Sequence, residues 1–304
     1  MNSSLSIFNI YPHKATAITP IIMYGNNFLE LRSTSIKGII RWWYRFFKSS
    51  FLDIDKLQET ENMIFGSTEN SSSFYLLITN TSQENKKDAY LRMNDKNPKN
   101  GKIVKKLAFY PPFSFEIKLK FLTIGDKYIQ EIKNSLLLLS LFGGIGSRIR
   151  RGFGSIQFDN FNHEFFNEDN FDKIKLNIQQ KLKNLRGNKN NNQFMNISNT
   201  KIYLVKSKNA FWNNWEEAMN SLRDNFYRKL KRELNIDKIV YIDKHNNKKY
   251  RSSPLFIQIK KTNNNKYFGV ILVWKDICNK INSNFFEKLQ NILKNYFDYW
   301  DIDT

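Results

Sequence analysis

Apolar residues at Ile36, Ile39, Ile40, Trp43 and Phe47 recur at the spacing of one helical face, which predicts a helix over 35–51 that Thr34 or Ser35 can cap. Alternating apolar and polar positions predict a half-buried strand over 113–122, and 126–142 reads as a strongly apolar helix. Shorter runs at 5–11, 28–32, 73–79 and 155–161 read as strands. The stretch 80–106 is polar, contains Pro98 and Gly101, and reads as a mobile insertion. Strand, helix, two strands, helix and strand in that order is the βαββαβ arrangement of ferredoxin-like (RRM-like) units, with two helices on one face of a four-stranded antiparallel sheet.

Over 166–200 the composition shifts to Asn, Lys and Gln, which marks a boundary or a long surface connection. Beyond it the pattern predicts a strand at 202–205, a helix at 211–234, strands near 239–242, 255–260 and 268–274, and a helix at 285–300. A closing strand is not visible. Either this second unit is an incomplete ferredoxin-like domain or a strand is lent across the boundary, and the pattern leaves both open. The expected class is therefore α+β: a first domain at 1–165, a polar connection at 166–200 and a second domain at 201–304 packed against the first. A length of 304 residues suits two domains of roughly 100–200 residues each.

Charge sharpens this picture. Lys and Arg number 48 against 28 Asp and Glu, a formal net charge of +20, and such a surface seeks a polyanion. A composition inflated in Lys, Asn and Ile would raise the charge with no partner at all, so charge alone does not decide for nucleic acid. The longest apolar stretch, 136–142, falls short of the roughly 20 residues of a membrane span. The start, Met1 to Leu5, lacks the basic-then-apolar order of a secretory signal, and one cysteine, Cys278, cannot form an internal disulfide. A cytoplasmic setting is expected. His13, His163 and His245 are far apart and no Cys or His pair has ligand spacing, so neither a metal nor another cofactor is expected.

The candidate chemistry concentrates at 143–154, where five glycines and three arginines lie between a helix and a strand. Gly143 can stop the helix in a left-handed conformation, while Gly144 and Gly146 let backbone N–H groups, with Ser147, turn toward an anion. Arg148, Arg150 and Arg151 add guanidinium groups that hold phosphate in bidentate fashion and stack on bases. A tight turn with solvated arginines accounts for Gly143 but poorly for the rest. The loop follows a helix rather than opening one, unlike a dinucleotide-binding turn. Residues 151–158 approach the ribonucleoprotein pattern, but Ser155 occupies a position where an aromatic ring should stack, and the match reads as coincidence.

Lys37, Arg41, Arg45 and Lys48 form a basic stripe on the first helix, mildly self-repelling unless an anion relieves it; a solvated face is the plain alternative. Trp42 and Trp43 suit a core or a subunit contact better than a stacking platform. Phe65-Gly66-Ser67-Thr68-Glu69 offers a second glycine turn with hydroxyl donors. For nucleolytic chemistry only His13 qualifies as a general base, and a lone histidine is more often structural.

Three of these motifs, taken in order, resemble the RAMP superfamily of CRISPR effector subunits. They are Leu31-Arg32-Ser33-Thr34-Ser35-Ile36-Lys37-Gly38-Ile39-Ile40-Arg41-Trp42-Trp43, the Phe65 to Glu69 turn, and Gly143 through Gly154. Within that superfamily the sequence is similar to the two-domain subunit-one family of type III-B (Cmr) complexes, with Arg251-Ser252-Ser253-Pro254-Leu255 in place of a second-domain motif. Ser33 and Thr34 stand where prolines are frequent. The resemblance implies a non-catalytic subunit at the head of an effector complex, near the 3′ end of the guide RNA. Its partners would be guide RNA, single-stranded target RNA and neighbouring subunits, without a membrane or a small-molecule substrate. On that reading Lys37, Arg41, Arg45, Ser67, Gly144, Gly146, Ser147, Arg148, Arg150, Arg151 and Arg251 contact RNA. Two alternatives stand beside it: a RAMP endoribonuclease that processes CRISPR transcripts with His13 as base, and a structural adaptor that docks through Trp42 and Trp43.

Overall fold

The computed structural model describes residues 9–80, 82, 85–90, 105–167, 169–189, 193–234, 242–243, 248–249, 253–281 and 283–302. The first sheet is made of β1 (Asn9–Ala17), β2 (Phe74–Asn80), β3 (Ser114–Phe121) and β4 (Ile156–Phe158). It is antiparallel throughout, in the spatial order β2-β3-β1-β4. Helices α1 (Ser33–Lys48) and α2 (Ile54–Phe65) connect β1 to β2, and α3 (Ile129–Phe142) connects β3 to β4.

Alternation does what it should in β3: Phe115, Ile117, Leu119 and Phe121 are buried while Glu116, Lys118 and Lys120 are partly exposed on the other face. Helices α1 and α3 cover the apolar face, with Ile36, Ile40, Trp43, Tyr44, Phe46 and Phe47 of α1 buried against it. A glycine and a run of aromatic residues give α1 weak intrinsic propensity, so this burial, at about 1.5–3 kcal/mol per large side chain, holds it helical. Its start differs from the expectation: Arg32 takes the N-cap position with no side-chain cap, and neither Thr34 nor Ser35 serves. The helix α2 was not anticipated, because Glu61 occupies one of its four buried positions and breaks the apolar pattern.

The chain continues through α4 (Asp159–Phe165) and α5 (Phe171–Leu185). The second of these lies inside the span expected to be a polar connection, yet it buries Phe171, Ile174, Ile178, Leu182 and Leu185. Then come β5 (Thr200–Ser207), α6 (Trp215–Ser221), a π-helical turn (Leu222–Tyr227), α7 (Arg228–Glu233), β6 (Leu255–Lys261), β7 (Tyr267–Trp274), α8 (Lys275–Ile281), α9 (Phe285–Tyr296) and β8 (Phe297–Ile302). This second sheet is antiparallel in the order β6-β7-β5-β8, which repeats the order of the first. The closing strand expected to be missing is present. The last helix ends at Tyr296, and β8 pairs with β5 from Phe297 opposite Ser207 to Ile302 opposite Ile202.

Smaller expectations also change. The strand expected at 28–32 is the two-residue Phe28–Leu29, paired with Tyr24–Gly25 outside the main sheets. The insertion begins and ends in a hairpin of Lys86–Tyr90 with Lys105–Phe109, and 91–104 lie outside the described residues. Most of the strand expected near 239–242 also lies outside them. Among the described residues no helix is long and apolar enough to cross a membrane.

The two sheets differ in what covers them. In the second, Tyr203, Val205, Ile257, Ile259 and Ile271 pack with residues of its own helices, while Ile202, Leu204, Phe256, Phe268 and Leu272 on the other face join the core that contains α1, α3 and α5. Burial on both faces explains why β7 reads as a nearly continuous apolar run rather than an alternating one.

Candidate nucleic-acid interface

The loop after α3 is folded against the chain itself. Gly143 ends the helix in an extended conformation (φ −110°), not the left-handed one expected, and its N–H donates to Leu139 O at 2.9 Å. Gly154 (φ +66°) brings its carbonyl to within 2.8 Å of the Ile145 N–H, and a Cβ there would lie 1.9 Å from Ile145 O. At Gly146 (φ +88°) a Cβ would lie 2.5 Å from Ile22 O, which accepts from the Ser147 N–H at 2.7 Å. The Gly154 N–H donates to Pro20 O at 2.9 Å, and Thr19 Oγ1 donates to Gly152 O at 2.7 Å. These glycines allow backbone to approach backbone within the chain.

The second sheet grips the same loop. Lys260 of β6, with no exposed surface, donates from Nζ to Gly143 O at 2.9 Å and Ile156 O at 3.0 Å, and burial pushes its pKa well below the usual lysine value. Gln258 donates to Ile149 O, and Ser155 Oγ donates to Ile259 O at 2.5 Å. Arg150 donates to Ser253 O, lies 4.3 Å from the centre of the Phe256 ring, and has its pKa lowered to about 10 by burial. It is thus a bolt between the loop and the second sheet. Gly144 is buried, and Phe153 and Phe158 of the ribonucleoprotein-like segment are core residues that cannot stack a base. Ser147 is exposed, and Arg148, Arg150 and Arg151 are each partly exposed, but of the three arginines Arg150 is the one bonded to Ser253, just ahead of β6. Arg148 adopts a left-handed backbone (φ +59°), and Arg151 lies 5.8 Å from the Tyr227 ring centre.

The basic stripe of α1 also has internal partners. Arg41 and Arg45 both pair with Glu61 of α2, whose side chain is 3% exposed. Arg41 further donates to Gly66 O at 3.1 Å and Asn62 Oδ1 at 2.9 Å. Lys37 donates to Ser72 Oγ and to Phe74 O (3.0 Å), and burial lowers its pKa to about 8. Lys48 pairs with Glu131 of α3 at 2.6 Å. The stripe therefore needs no outside anion to relieve its repulsion. Ser67 is exposed, and its Oγ accepts the N–H groups of Glu69 (3.2 Å) and Asn70 (3.1 Å), closing the turn after Gly66.

His13 is 6% exposed, beside Phe158 and Phe161, with its ring Nδ1 3.3 Å from Asn160 Nδ2. Burial lowers its pKa. Trp43 is 1% exposed, and Trp42 stacks on Phe46 and contacts Phe256 across the two sheets. Trp43 is thus a core residue, and Trp42 is partly buried. Arg251 lies outside the described residues. Among those described, no group of three or more His, Cys, Asp or Glu is placed to hold a metal ion. Lys260, Gln258 and Glu61 are the residues sequence reasoning passed over. The two in β6 were signalled by polar positions in an otherwise apolar strand.

Residues 14–157, which include most of the first sheet and its helices, match the model of the RAMP superfamily. The chain is similar to Cmr1 of the CRISPR Cmr system. It is 35% identical over 142 residues to Cmr subunit Cmr1-1 of Pyrococcus furiosus, a match that covers 42% of this chain and only 40% of that protein's length. It is 28% identical over 170 residues to Cmr1-2 of the same organism, covering 46% of this chain and 90% of the relative. The fold extends the likeness over nearly the whole chain. The crystal structure of apo Cmr1 from Pyrococcus furiosus aligns with a TM-score of 0.63 at 19% identity, covering 97% of this chain and 98% of that one. A chain of the type III-B Cmr-β complex bound to cognate target RNA aligns with a TM-score of 0.60 at 13% identity, covering 94% and 99%.

Proposed function

We propose that the chain is a Cmr1-like RNA-binding subunit of a type III-B CRISPR effector complex. On this reading it sits at the head of the complex near the 3′ end of the guide RNA, helps hold guide and target RNA in antiviral defence, and cuts neither. The observation that carries the reading is the fold shared end to end with a chain of a target-RNA-bound Cmr complex. The repeated strand order, with helices at matching connections, supports two ferredoxin-like domains at 1–165 and 201–304, the second complete and α5 packed between them. The net charge of +20 supports a polyanionic partner. The buried, neutral-leaning His13 supports a holding rather than a cleaving role.

On this reading the contact set is narrower than the motifs suggest. Ser147, Arg148 and Arg151 of the loop, with Ser67 at the second glycine turn, are the residues presented to RNA. Lys37, Arg41, Arg45 and Arg150 build the frame that presents them. Purifying the tagged chain from its own host and sequencing the RNA that accompanies it tests the reading. Guide RNAs with CRISPR repeat sequence at one end are expected; a random sample of cellular RNA overturns it.

A further inference from the structure

The face of the first sheet turned away from α1 and α3 carries a cluster that the RNA reading does not use. Ile10 is 57% exposed, Tyr75 57% and Leu77 54%. Pairing fixes their positions. Tyr75 lies opposite Lys120, which lies opposite Ile10; in the next row Leu77 lies opposite Lys118, which lies opposite Pro12. Large apolar side chains in neighbouring rows, with a column of lysines between them, form a contiguous patch rather than scattered exposure. One acidic group shares the face, Glu116, and it pairs with Lys118 at 3.0 Å, so the patch keeps a positive excess.

The second sheet shows what such a face is used for in this fold. Its equivalent face, away from α6, α7 and α9, is closed by protein: Phe256 meets Trp42 and Trp43 of α1, and Phe268 meets Phe171 of α5. The first sheet has the same strand order, carries Ile10, Tyr75 and Leu77 among lysines on this side, and leaves them exposed among the described residues. Aliphatic residues outnumber the single aromatic ring, which suits packing by side chains better than stacking by bases.

We propose that this face docks a neighbouring protein subunit, through a segment that is apolar along its contact stripe and acidic at its flanks to match Lys118 and Lys120. The inference rests on the reading of the chain as a subunit of a larger complex, and it assigns a surface separate from the glycine loop.

The test uses the tagged full chain purified with its complex from the host. Two variants are compared with wild type, Ile10→Glu plus Leu77→Glu, and Lys118→Glu plus Lys120→Glu, both confined to exposed or partly exposed positions. Recovery of the other subunits is expected to fall roughly tenfold or more with the first and measurably with the second, while affinity for single-stranded RNA in the isolated chain is unchanged by the first. Hydroxyl-radical footprinting of wild type is expected to show Tyr75 and Leu77 oxidised in the free chain and protected in the complex. Full recovery with both variants, or no protection, overturns the proposal while leaving the subunit reading intact. Loss of RNA affinity in the first variant with recovery unchanged makes the face a nucleic-acid surface instead. A dimer of the isolated chain that the first variant dissolves makes it a contact between copies. Wild type that brings down no other subunit overturns both this proposal and the reading beneath it.

Discussion

Lys260 Nζ, on the edge strand β6 of the second sheet, donates to the carbonyl of Gly143 across 2.9 Å and so joins that sheet to the end of α3, where burial with no ion pair among the described residues lowers its pKa. A neutral amine has two N–H groups, and the two carbonyls it meets, Gly143 and Ile156, use both.

Stability should therefore rise with pH through this residue. Burial holds the folded-state pKa of Lys260 well below its unfolded value of about 10.4, so between the two values the unfolded chain binds more protons and folding gains as pH increases. Lys37, Lys261 and Lys275 titrate in the same direction, and a Lys260→Met comparison removes their common contribution. Urea unfolding between about pH 7 and pH 10 should show a smaller rise in the variant than in wild type. Parallel curves would contradict the account.

Glu61 is the shared partner of Arg41 and Arg45, and Glu61→Gln should cost about 2 kcal/mol. That is less than the roughly 3–5 kcal/mol of a fully buried pair, because the arginines keep contact with water. RNA affinity should not rise. Were these arginines mainly for RNA, freeing them would tighten binding with little loss of stability, so thermal melts and RNA titrations of the one variant separate the two roles.

Two glycines offer opposite outcomes for the same substitution. Gly154→Ala places a methyl against Ile145 O at a positive φ and should destabilise by about 2 kcal/mol or more. Gly38→Ala, in an exposed turn of α1 with nothing within 4 Å of the added Cβ, should stabilise by about 0.5–1 kcal/mol. Denaturation midpoints check both, and equal shifts in the two would refute the assignment of the loop glycines to close backbone packing.

Much of the fold was legible where one face alone is buried. The alternation of β3 and the stripe of α1 follow directly from the period of their apolar positions. The strand β8 was not legible: it follows α9 with no glycine or proline between them, and only pairing with β5 turns Phe297 out of the helix. At the site the arginines and glycines could be counted but not their neighbours. Glu61 sits 16 and 20 residues from its arginines, on a helix whose own pattern it interrupts, and Lys260 reaches the loop from 104 and 117 residues away. Residue type announced a clustered site; only the close approaches show which members face inward.

The central claim is that the loop meets RNA through Arg148 and Arg151 while Arg150 holds the loop in place. Affinity for a single-stranded RNA, measured across a salt series, tests it most directly in Arg148→Ala plus Arg151→Ala. Two lost phosphate contacts should make the slope of log K against log salt shallower by about 1.4, at about 0.7 per contact. A slope equal to that of wild type would contradict the claim.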